Sequence, residues 1–283
     1  RESSRHPMGV AITLEARGDV AAEAAKNPHN FLESGGSLHL FQGRGGINPA
    51  FQNDDAFLTA LDNAQTAAGE IAAAPNWRSD PRWINSARMV STNLAPQFFW
   101  DLAAHGTLES DQKFSHKQYS YGLKLGLVYR DWTDQHWSTK FNLLDYPFAA
   151  LRWLSKTEDD FQLSVRAIPV IVAGVDAVSP AANSTRLAVD PDSSVYPRSR
   201  IELQFRTRAL RWKVEDLWFS ANFRYFQEFG ASAPLRAAHL DASEYFSAKL
   251  DLPYHFNVSY STGKLPLDQS SSQVYALGWS LNF

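Results

Sequence analysis

The sequence predicts an all-β chain, a transmembrane antiparallel β-barrel of 12–14 strands with an N-terminal helical insertion. Three observations predict it. Apolar and polar side chains alternate through segment after segment, short proline-containing links join several of these segments, and their basic residues fall on one parity. Successive side chains of a strand point to opposite faces, so alternation marks a sheet with two chemically different sides.

The alternation is clearest in three stretches. Residues 119–130 place Tyr119, Tyr121, Leu123, Leu125, Leu127 and Tyr129 on one face, against Ser120, Gly122, Lys124, Gly126, Val128 and Arg130. Aromatics at both ends of an aliphatic face match a lipid-spanning strand. Residues 200–209 set Ile201, Leu203, Phe205, Thr207 and Ala209 against Arg200, Glu202, Gln204, Arg206 and Arg208. Residues 217–225 set Leu217, Phe219, Ala221, Phe223 and Tyr225 against Trp218, Ser220, Asn222 and Arg224. Segments 161–167, 246–252 and 256–260 behave alike.

The links divide into two kinds. Asp145-Tyr146-Pro147-Phe148, Ala167-Ile168-Pro169-Val170 and Leu252-Pro253-Tyr254-His255 predict tight hairpins, since proline presets φ and donates no ladder hydrogen bond. Longer polar links at 131–136, 176–198, 229–243 and 262–271 fall on the other side, the asymmetry of a membrane barrel. Ten strands are expected from Tyr119 to Phe283. A hairpin of 83–94 with 97–108 makes twelve, and the alternating Val10–Arg17 with 36–42 makes fourteen. The whole chain, 1–283, is expected to be one domain, with 44–80 a helical insertion acting as plug, gate or periplasmic cap. Within it, Asn53 and Asp54 can cap a helix over 53–74 whose stripe is Phe57, Leu61, Ala64, Ala68 and Ile71.

Composition agrees. The 283 residues include 9 Trp, 10 Tyr and 18 Phe, the residues of interfacial girdles. The absence of cysteine excludes disulfides and Cys-ligated metals. A net charge of −3 gives no general pull toward nucleic acid. The chain opens at Arg1 without Met or a signal-peptide pattern, so a processed form is expected.

The last nine residues carry a specific likeness. Tyr275, Leu277, Trp279, Leu281 and Phe283 share one face, and Ala276, Gly278, Ser280 and Asn282 the other. This resembles the C-terminal assembly signal of bacterial outer-membrane β-barrel proteins, with its terminal Phe and an aromatic nine residues from the end. The resemblance implies location in the bacterial outer membrane. It implies outer-membrane lipids and the assembly machinery as partners, and leaves room for a periplasmic partner.

Strand parity assigns ten basic residues to the interior: Lys124, Arg130, Lys140, Arg152, Arg166, Arg200, Arg206, Arg208, Arg224 and Lys249. Only Glu202 and Asp251 oppose them in the same strands. A cationic lumen concentrates anions. The expected function is therefore a porin-like channel for small anionic or polar solutes, with no cofactor and no metal. Two alternatives stand beside it: a component of a polymer export or assembly system, and a barrel-embedded lipid-modifying enzyme. Asp101 and His105 share a strand face, but no Gly-x-Ser-x-Gly elbow or His-Glu-x-x-His motif is present, so no catalytic activity is expected.

Overall fold

The computed structural model describes residues 8–18, 31–44, 97–130, 142–155, 168–212, 215–268 and 271–279, with isolated helical positions at 59, 62, 66 and 81. They form one sheet of ten strands, each hydrogen-bonded antiparallel to the next in chain order. The strands are β1 (Met8–Gly18), β2 (Leu32–Arg44), β3 (Gln97–Ser110), β4 (Lys117–Arg130) and β5 (Val170–Ala182). They continue with β6 (Tyr196–Trp212), β7 (Glu215–Glu228), β8 (Ala242–Asp251), β9 (Phe256–Gly263) and β10 (Ser272–Trp279). Three short helices intervene: α1 (Tyr146–Leu154), α2 (Ser184–Val189) and α3 (Ala233–Ala237). None of the described helices is long and apolar enough to cross a membrane.

Of the expected 12–14 strands' worth of sheet, ten strands are present among the described residues. The largest correction lies at 145–154. Pro147 begins helix α1 rather than a hairpin. Its missing N–H costs nothing in a first helical turn. Seven strands, not ten, are described after Tyr119. The expected strand at 161–167, the hairpin partner at 83–94 and most of the 53–74 helix lie outside the described residues. The β1–β2 pair and the 97–108 strand form as expected, in register Val10↔Leu40 and Leu40↔Leu102.

One end of the sheet carries tight turns. Trp212 pairs with Glu215, and a 3₁₀ turn at Pro253–His255 joins β8 to β9. Tyr254 and His255 take left-handed φ values of 60° and 65° in that turn. Two hydrogen bonds hold it: Tyr254 N–H donates to Glu215 Oε2 (3.1 Å) and Trp279 Nε1–H to the Tyr254 carbonyl (3.1 Å). Arg130 ends β4 and Val170 begins β5 at this same end, and the expected link 131–136 lies outside the described residues. The remaining long links, 183–195, 229–241 and 264–271, fall at the opposite, loop end. There Asp111 organises the β3–β4 turn, accepting from Ser115 Oγ (2.6 Å) and His116 N–H (3.0 Å). Burial works to raise its carboxyl pKa, but these hydrogen bonds outweigh it and hold the group below its ordinary value.

The sheet curls strongly. In a flat sheet, four spacings of about 4.8 Å would put β2 roughly 19 Å from β6. Yet Glu33 of β2 reaches Arg200 of β6 (3.5 Å) and Arg224 of β7 (3.7 Å). Phe31, Phe226 and Leu265 close a buried cluster across the same face. That face is therefore concave. Glycines permit the close approach: a Cβ on Gly122, facing inward on β4, would fall 2.1 Å from the Val175 carbonyl of β5. Gly122→Ala is expected to destabilise the fold by roughly 1–3 kcal/mol, as overpacking does elsewhere. Chemical unfolding in detergent would measure it.

Candidate functional site: the concave face

The distribution of side chains is inverted relative to a protein folded in water. Among the described residues, 22 buried side chains are polar or charged and 9 are hydrophobic, while 32 large hydrophobic residues are exposed. The normal preference is the reverse. Most of the exposed apolar residues on the strands occupy the convex face, among them Met8, Val10, Ile12 and Leu14 on β1, Tyr121, Leu123 and Leu125 on β4, and Tyr275, Leu277 and Trp279 on β10. Leu281 and Phe283, the other two residues of the expected terminal face, lie outside the described residues.

The concave face holds the charges. Register aligns Glu109, Gln118, Asp176, Arg198 and Glu228 near the loop end, and Arg200, Glu202 and Arg224 nearer the middle. Arg198 donates bidentately to Glu109 (2.5 and 3.0 Å) and also to Asp176 (3.0 Å). Arg200, 1% exposed, donates to Glu202 (2.5 Å), with Glu33 at 3.5 Å and Asp176 at 4.0 Å. His105 Nε2 lies 3.0 Å from Asp176 Oδ1. Both guanidiniums also lie over the Phe226 ring, at 4.9 and 5.3 Å. At the loop-end mouth, Arg186 of α2 pairs bidentately with Glu228 (2.6 and 2.7 Å).

Carboxylates therefore answer the expected cationic surplus almost one for one. Arg208 pairs with Asp216 (2.9 Å), Arg224 lies near Glu33, and Lys249 pairs with Asp251 (2.7 Å). Lys124 reaches Glu15 at 3.7 Å. The surplus inferred from sequence omitted Glu33 and Glu109, because strand parity alone does not show which early strands roll over the later ones, and Asp176, because the expected link 176–198 begins there while β5 runs on to Ala182. Arg152 needs a full correction. It belongs to α1, which packs on the convex face through Phe148 against Phe205 and Phe219 (ring centroids 6.2 and 4.7 Å). There Arg152 pairs with buried Asp145 (2.7 Å) and donates to the Arg208 carbonyl (2.7 Å), so it is no interior cation. Lys140, Arg166 and the side chain of Arg130 lie outside the described residues.

The turn-end half is more open. Arg206 is exposed, its guanidinium 4.8 Å over the Trp218 ring. Arg206 and Lys249 both pair in register with Ser220, so they flank one another across β7. On the opposite wall lies a second polar cluster. Asp101 accepts from His39 Nδ1 at 2.8 and 3.0 Å, and His39 Nε2 meets Ser37 Oγ (2.7 Å) and Thr13 Oγ1. Asp101 and His105, noted on one strand face, thus serve different groups: Asp101 holds His39, and His105 holds Asp176. Ser37 and His39 lie two residues apart in the expected strand 36–42, so parity puts them on one face; only register brings Asp101 and Thr13 to them.

No family model matches the chain, and no curated protein or solved structure matches it.

Proposed function

We propose that this chain is a β-barrel of the bacterial outer membrane that passes small polar and anionic solutes. The observation that carries the reading is the inversion: an exposed apolar convex face and a charged, buried concave one. An apolar surface of this extent is costly in water and stable in hydrocarbon, and antiparallel strands pair their backbone groups within the sheet everywhere but at the outer edges of β1 and β10. The convex residues Tyr275, Leu277 and Trp279 suit both lipid contact and the terminal assembly signal.

The concave face divides the path. Arg206 offers an exposed cation in a vestibule at the turn end, beside exposed Lys249 in its pair with Asp251. The Glu33–Arg200–Asp176–Arg198–Glu109 network forms the constriction nearer the loop end. Fixed, paired charges in a narrow path set selectivity while limiting flux. In planar lipid bilayers the chain is expected to give small, anion-preferring conductance steps. Arg206→Gln with Lys249→Gln is expected to shift the reversal potential in a KCl gradient toward cations. No conductance from wild-type protein that keeps its heat-dependent gel shift would overturn the reading.

A further inference from the structure

We propose that Ser37, His39 and Asp101 form a nucleophilic site that hydrolyses carboxylic esters of short acyl chains. This site lies outside the constriction and does not rest on solute passage. Three features support it. The first is connectivity: a carboxylate holds His39 Nδ1 at 2.8 and 3.0 Å while Nε2 meets a serine hydroxyl at 2.7 Å. With Nδ1–H donated to Asp101, the Nε2 lone pair faces the Ser37 and Thr13 hydroxyls together, and a base–orienter pair activates the hydroxyl it accepts from. The second is access. The His39 and Asp101 side chains are 23% and 41% exposed, whereas His105 and Asp176, the other His–carboxylate pair of this face, are 1% and 0% exposed. Only the His39 pair can be reached by a substrate.

The third is the surroundings. His39 pairs in register with Ala11 on β1 and Ala103 on β3, so small side chains flank the imidazole. Phe41 and Phe99 occupy the next concave positions toward the turn end, an apolar flank for an acyl chain. The Phe41 ring lies over Gly9, where any Cβ would come within 2.5 Å of it. Thr13 Oγ1 lies 3.1 Å from Ser37 Oγ. Its hydroxyl is placed to turn toward the oxyanion once Ser37 has attacked.

The reaction needs only water as co-reactant. Ser37 Oγ attacks the ester carbonyl, and its proton passes to His39 Nε2. The C–O bond to the alcohol then breaks as His39 returns that proton to the leaving oxygen. Water repeats the sequence on the acyl-serine, releasing the carboxylic acid and restoring Ser37. Asp101 is a positioning residue that holds one tautomer of the ring and stabilises its protonated form.

The test uses the full chain in detergent micelles. A fluorophosphonate reagent, with the adduct located by peptide mass spectrometry, is expected to label Ser37, and p-nitrophenyl butyrate is expected to be hydrolysed. Ser37→Ala should abolish labelling and lower hydrolysis by about a thousandfold or more. Asp101→Asn should lower hydrolysis by about 10³–10⁴-fold, and Thr13→Val by about a hundredfold. All three variants should keep the wild-type heat-dependent gel shift and bilayer conductance, so a failure of this proposal is distinguishable from a failure of the channel reading. An unlabelled wild type, or labelling of Thr13 or any other residue in place of Ser37, would overturn the proposal.

Discussion

Arg200→Met is expected to destabilise the protein by about 3–5 kcal/mol, the cost of breaking a buried ion network from one side. The guanidinium is the only cation within 4.0 Å common to Glu33, Asp176 and Glu202 among the ion pairs described above. Without it, Glu202 loses its 2.5 Å partner, and the link between Glu33, held also by Arg224, and Asp176, held also by Arg198, is broken where water is scarce. Urea unfolding followed by Trp fluorescence would measure the loss. A change below about 1 kcal/mol would mean that the network is hydrated and that the curled sheet does not exclude water from it. Glu33→Gln should cost less, because Arg200 retains Glu202 and Asp176.

Leu123→Arg separates the two possible surroundings of the convex face. Leu123 lies near the middle of β4 and is half exposed on the apolar side. In a bilayer, an arginine at mid-depth costs about 2–4 kcal/mol. On a water-facing surface the same change falls within about 0.5 kcal/mol. Comparing unfolding of Leu123→Arg and Leu123→Ala in lipid vesicles gives the answer. Equal stability of the two would remove the membrane reading and with it the proposed channel.

The helix α1 shows where local pattern misleads. Tyr146–Leu154 is short, and a nine-residue apolar stretch with one arginine fits strand alternation as readily as a helical turn. A proline between alternating segments suggested a hairpin, yet proline also suits a helix start. What decided between them was packing: Phe148 stacks on Phe219 and lies tilted beside Phe205 on the convex face, and Asp145 accepts from Thr207 Oγ1 at 2.7 Å. None of these partners is near α1 in sequence. The helix leaves Leu151, Trp153 and Leu154 exposed beside the apolar wall.

Alternation alone determined the strands β1, β4, β6 and β7, the convex identity of Tyr121, Leu123, Ile201 and Leu203, and the concave identity of Arg200, Arg206 and Arg224. It could do so because a strand's period of two is a local property, set by backbone geometry within each segment. Tertiary structure decided what those concave charges do. Glu33 is 167 positions from Arg200 in sequence, and Thr13 and Asp101 meet at His39 only through the β1–β2–β3 register. Register and curvature arise from pairing between distant segments, and parity is blind to both. The cationic interior expected from the sequence therefore became a neutralised one, and four unremarkable polar residues on β1–β3 became a candidate active site.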